Sequence, residues 1–81
     1  MNPVDELRQR HDLTLSELAL KSNLSLSTVW ALAHGGPRRI PAKLARLADV
    51  LDGAGSGVRL ASAYVAWRAA RIRATDEVAV R

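Results

Sequence analysis

Two helix start signals standing close together constrain this chain more than anything else in it. The first is Leu13-Thr14 followed by Glu17 and Leu18. The Thr14 hydroxyl can accept an orphan backbone N–H of a first helical turn, and Glu17 can reach back to the N–H of Thr14, which closes a capping box. Leu13 and Leu18 occupy the two positions of a hydrophobic staple. The second signal is Leu24-Ser25 followed by Thr28 and Val29, with Ser25 as cap and Leu24 and Val29 as staple. Between them lies Asn23, a residue type that enters the left-handed backbone region cheaply. The spacing predicts a helix over 15–22, a tight turn at Asn23 and a second helix over 26–34. Leu18, Ala19, Leu24, Val29 and Leu32 can then all point into one corner, with Ala19 small where the helices cross.

The remaining segments read as further helices. Asn2-Pro3 supplies a cap and a proline at the first helical position, where the missing N–H is harmless. Asp5 and Glu6 follow in the first turn and suit the helix dipole. Leu7 and Val4 are the core candidates of this helix, which ends near His11-Asp12. Gly35-Gly36 stops the third helix and Pro37 blocks its continuation. Residues 35–40, GGPRRI, form a loop with adjacent arginines, and Pro41 opens a fourth helix to Leu51 with Leu44, Leu47, Ala48 and Leu51 at helical spacing. The run GAGSG at 53–57 reads as a glycine-rich hinge. The expected organisation is a helical head over 1–52, this hinge, a helix over 58–74 and a tail over 75–81 of unassigned structure. At about 100° per residue, Val58, Ala61, Val65, Ala69 and Ile72 fall on one face of the fifth helix. Leu60, Ala63, Tyr64, Trp67, Ala70 and Ala74 fall on the other. Two apolar faces need two partners, so one face covers the head and the other meets a second chain. The expected pairing surface is Leu60, Tyr64, Trp67 and Arg71, although Tyr64 and Trp67 packing on their own head is the competing reading.

At 81 residues the chain is one domain with a small core, marginal alone. It has no cysteine, hence neither a disulfide framework nor a thiolate metal site. No apolar run is long enough to span a membrane and no signal-peptide pattern is present, so a cytoplasmic location is expected. The net charge of +4 matters less than its distribution. No acid occurs between Glu17 and Asp49, where Lys21, Arg38, Arg39, Lys43 and Arg46 fall. None occurs between Asp52 and Asp76, where Arg59, Arg68, Arg71 and Arg73 fall. Segregated positive charge is the footprint of a phosphate-binding surface, with solvated basic faces as the plainer alternative. No nucleophile–histidine arrangement, paired carboxylates, metal cluster or phosphate-cradling glycine motif is present, and GAGSG lacks the preceding strand a nucleotide site needs. The chain is therefore not expected to be an enzyme, and no cofactor is expected.

The runs LTLSELA, NLSLSTV and HGG, within a match from Leu7 to about Leu51, resemble the helix-turn-helix of the Cro and phage-repressor (XRE-like) regulators. The resemblance implies an all-α fold, a compact four-helix lambda-repressor-like head, here followed by a fifth helix. It implies a small sequence-specific DNA-binding regulator, a homodimeric repressor that inserts helix 26–34 in the major groove of double-stranded DNA. Carried over by position, the contact residues are Lys21, Ser25, Leu26, Ser27, Trp30, Ala31 and His34, with Arg38, Arg39 and Lys43 gripping the backbone or dipping into the minor groove. This chain departs from the family in several places. Leu15 replaces a phosphate-binding glutamine, and Leu26 replaces a base-reading glutamine or arginine. Trp30 and Ala31 replace polar residues. Arg8 matches one half of a family ion pair whose glutamate is here Ala33. The expected reading face thus lacks Arg, Lys, Asn and Gln, which make bidentate base contacts. Apolar contact to thymine methyl groups with shape readout is one account of it. A helix-turn-helix turned to protein binding, an anti-repressor or antitoxin-like adaptor using Leu26 and Trp30, is another. A Trp30 folded into the core is a third.

Overall fold

The computed structural model describes the backbone of residues 1–80 and the side chains of residues 1–73. The chain is all-α, with helices α1 (Pro3–Arg10), α2 (Leu15–Ser22), α3 (Leu26–Ala33), α4 (Ala42–Asp52) and α5 (Ser56–Val80), and no strand among the described residues. No helix among the described residues is long and apolar enough to cross a membrane.

Local signals start and stop these helices where the side-chain chemistry requires. Thr14 and Glu17 form the reciprocal capping box, with Thr14 Oγ1 accepting from the Glu17 N–H at 3.1 Å and Glu17 Oε1 accepting from the Thr14 N–H at 3.0 Å. Asn23 ends α2 in the left-handed region at φ 57°, and Ser25 caps α3 by accepting from the Thr28 N–H. His34 stands one place outside α3 as its closing cap, and Pro41 one place outside α4 as its opening one. In α1, Val4 and Leu7 are buried and meet Leu18, Val29, Leu32 and Leu44 in one core.

The helix α5 closes that core from the outside. It packs chiefly on α4 and also on α1, and contributes Leu60 and a fully buried Tyr64, with Trp67 packed at the edge. The hinge expected at 53–57 is instead a tight corner, and α5 begins inside it at Ser56. Gly53 and Gly55 take positive φ. Gly57 is already helical and buried, its N–H donates to Asp49 Oδ1 at 2.8 Å, and a Cβ there would collide with the Ala45 carbonyl. The missing side chain lets the backbone of α5 approach that of α4 closely, so the two helices are joined by contact rather than by a spacer. At its other end α5 runs past Ala74 to Val80, which makes helix of most of the stretch left unassigned at 75–81; Arg81 lies outside the described residues.

Candidate functional site

The end of α3 is held by side chains from both ends of the fold. Asn2 caps α1, with Oδ1 accepting from the Val4 N–H at 2.9 Å, and its buried amide donates to the carbonyls of Leu32 at 2.8 Å and Ala33 at 3.0 Å. From α5, Arg71 donates to the His34 carbonyl at 3.0 Å, and Arg68 donates to those of Gly35 at 3.0 Å and Gly36 at 3.2 Å. Five consecutive carbonyls at the C-terminus of α3 are thereby satisfied, two by an amide and three by guanidinium groups whose charge also suits the negative end of the helix dipole. Tyr64 Oη donates to the Pro37 carbonyl at 2.6 Å and fixes the loop that follows, and burial holds its hydroxyl above the ordinary tyrosine pKa. Gly35 sits at φ +77° against the Trp67 ring, where a Cβ would fall 2.8 Å from two ring carbons. Arg71 also lies over that ring, 5.4 Å from its centroid.

These contacts correct the expected pairing surface. Leu60, Tyr64, Trp67 and Arg71 all face the chain's own head: Leu60 and Tyr64 are buried in its core, Trp67 packs against it and Arg71 grips α3. The inner face of α5 is the one with the larger side chains, because covering Tyr64 and Trp67 removes more apolar surface from water than covering valine and alanine. The outer face carries Val58, Val65 and Ile72, all exposed.

Held in this way, α3 turns Leu26, Ser27, Trp30 and His34 to the surface, with Ala31 half-buried beside them and Val29 and Leu32 buried on its opposite side. Leu26 is 50% and Trp30 53% exposed, so Trp30 is a surface residue and does not fold into the core. Its ring stacks on His34 with centroids 3.8 Å apart. The Trp30 carbonyl accepts from His34 Nδ1 at 2.7 Å, which leaves Nε2 as the available polar atom of that ring. Ser25 Oγ is largely used within the turn: besides capping, it lies 2.8 Å from Thr28 Oγ1 and 3.2 Å from Ser27 Oγ. Arg8, lacking an α3 glutamate, pairs with Asp5 of its own helix and donates to the Leu13 carbonyl.

Seven of the cations fall into two clusters. Lys21 and Lys43 lie together beside the α2–α3 turn, joined by Arg46 around a cleft of about 400 Å³, and Lys43 Nζ donates to the Asn23 carbonyl at 3.2 Å. Arg38 and Arg39 lie instead along α5, next to Arg68 and Arg73. Of the site expected from the sequence, Lys21 and Lys43 share the cleft beside the α2–α3 turn, and Ser25, Leu26, Ser27, Trp30, Ala31 and His34 lie on α3 or at its two caps. Arg38 and Arg39 belong to a second surface. Arg46, Arg68 and Arg73 are not among the contact residues expected from the sequence. Arg46 lies three residues after Lys43, one helical turn along α4, which is the spacing that would have found it. No family model matches this chain, and no curated protein or solved structure matches it.

Proposed function

We propose that the chain is a small DNA-binding transcriptional regulator of the Cro and XRE-like kind, a repressor that lays α3 in the major groove of double-stranded DNA. The observation that carries this reading is the setting of α3. An exposed helix face follows a left-handed turn, flanked by Lys21, Lys43 and Arg46, in a stretch without an acid from Leu18 to Ala48. Cations so placed meet phosphates on one wall of the groove. Leu26 and Trp30 then contact thymine methyl groups and the sugar edge, and His34 Nε2 reaches a phosphate or base at the far end. Ser27 adds a hydroxyl near the helix start, where free N–H groups favour an anion. In this reading two copies occupy a near-palindromic site and block polymerase by occupancy. Their pairing surface lies outside Leu60 and Tyr64, which the head consumes.

One observation favours a second reading. The exposed face of α3 offers Leu26 and a Trp30–His34 stack but no side chain capable of bidentate base contact. That composition also suits docking on another protein.

Salt dependence of duplex binding tests the first reading. Each cation that neutralises a phosphate contributes roughly 0.9 to the slope of log K against log salt. Lys43→Ala with Arg46→Ala is expected to lower that slope by about 2. Arg38→Ala with Arg39→Ala measures the second cluster in the same way. A slope unchanged by either pair removes that cluster from the DNA surface, and unchanged slopes for both remove the DNA reading.

A further inference from the structure

The outer face of α5 and the loop after α3 enclose a groove that the described residues leave open. Arg38 and Arg39 stand on its loop side, and Arg68 and Arg73 on its helix side. Its floor is the row Val65, Ala69 and Ile72. The groove has a volume of about 510 Å³ and continues past Ile40 and Ala61 along the same helix. Val65 and Ile72 are 46% and 43% exposed, two helical turns apart on one line. No carboxylate among the described residues pairs with the four arginines; the ion pairs of the head lie at Asp5 and Asp52.

We infer that this groove takes an acidic amphipathic segment of another protein, with its apolar side chains on the Val65–Ile72 row and its carboxylates on Arg38, Arg39 and Arg73. Charge complementarity selects this occupant. Guanidinium groups pair with carboxylates in a bidentate fork, and a helix laid in a groove presents apolar anchors one or two turns apart, matching the floor. Duplex DNA satisfies the arginines but offers a phosphate backbone to the apolar floor, which leaves its burial uncompensated. A second copy of the chain would bring the same four cations against themselves. The inference goes beyond the regulator reading and does not depend on it. A bound segment would cover Arg38 and Arg39, so it would remove one basic cluster from any nucleic acid.

The test uses the full chain, without DNA, and a labelled synthetic helical peptide with leucines at i, i+3, i+4 and i+7 and glutamates elsewhere. Fluorescence anisotropy is expected to show binding that weakens about tenfold with Val65→Ser plus Ile72→Ser, and about tenfold with Arg39→Ala plus Arg73→Ala, each tenfold being 1.4 kcal/mol. Val50→Ser, on the exposed side of α4, leaves binding unchanged. These side chains are at the surface, so circular dichroism should be unaltered in every variant. A permuted peptide of the same composition but no apolar face should bind at least about tenfold more weakly. Equal binding of the permuted peptide, or indifference to the Val65 and Ile72 changes, would reduce the groove to general charge attraction and overturn the proposal. So would a random-sequence duplex whose binding requires Val65 and Ile72, or self-association in sedimentation that those two changes abolish. Because no DNA is present in the peptide assay, failure there leaves the regulator reading untouched, and failure of that reading leaves this one standing.

Discussion

Asn2 is the residue on which most of the local architecture converges. One side chain supplies an acceptor to the first turn of α1 and a donor to the last carbonyls of α3, about thirty positions away. Asn2→Ala removes a helix cap and the amide donor to the Leu32 and Ala33 carbonyls in one step, which costs about 2 kcal/mol. Chemical denaturation should register that loss; a variant as stable as the parent would mean that water replaces the amide. Trp30 sits at the other extreme. Over half exposed, it touches His34 and little of the core, so Trp30→Ala should change stability by less than about 1 kcal/mol. The same change should relax or abolish sequence preference on DNA. A collapse of the fold would make the ring structural, and an unaltered sequence preference would remove it from the reading face.

Among the elements, α1 and α4 are tied at their C-terminal ends by a small charge cluster. Asp52 accepts from Arg10 Nη2 at 2.5 Å and from His11 Nε2 at 2.6 Å. The Arg10 hydrogen bond, then that of His11, hold the Asp52 carboxyl below its ordinary pKa. A depressed carboxylate contributes stability that is present above its unfolded-state pKa and is lost as pH falls through its folded-state value. Glu17 behaves alike, because the Thr14 N–H binds its charged form. Stability should therefore decline as acid protonates these groups, and Asp52→Asn should flatten that decline in thermal melts across the carboxylate range. An identical acid limb in the variant would assign the pH dependence elsewhere. His11 thus closes α1 as its cap, where the sequence placed the end of that helix.

The elements that were legible in the sequence are those written in adjacent residues. Thr14 with Glu17, Ser25 with Thr28, and Asn23 between them specify α2, the turn and α3 within a residue of where they stand, because capping is a short-range hydrogen-bonding affair. The corner at 53–57 was not legible as a corner. Glycines free a chain to bend, but whether Gly57 spaces two helices or lets them touch depends on Ala45, twelve positions upstream. The two apolar faces of α5 were legible, and the choice between them was not, since it rests on the fit of Tyr64 beneath Pro37 and of Trp67 beside Gly35. The exposed α3 face was expected from positions carried over with the resemblance, whereas the division of the cations into two surfaces required the path of the loop after α3.

At the scale of the whole molecule, the described residues form a five-helix unit in which Asn2 at one end and the arginines of α5 at the other set the position of one short helix. Such an arrangement holds the end of α3 firmly on a small scaffold. The DNA account asks the exposed face of α3 to prefer some sequences over others despite its apolar composition, and that is where it is most exposed to contradiction. Selection from a random-sequence duplex pool by the purified protein at two salt concentrations, followed by sequencing, addresses it directly. The account predicts an enriched motif with two-fold symmetry that survives at the higher salt. An unenriched pool, with binding lost as salt rises, would mean that the positive charge attracts DNA without reading it, and the Leu26–Trp30 face would then belong to a protein partner.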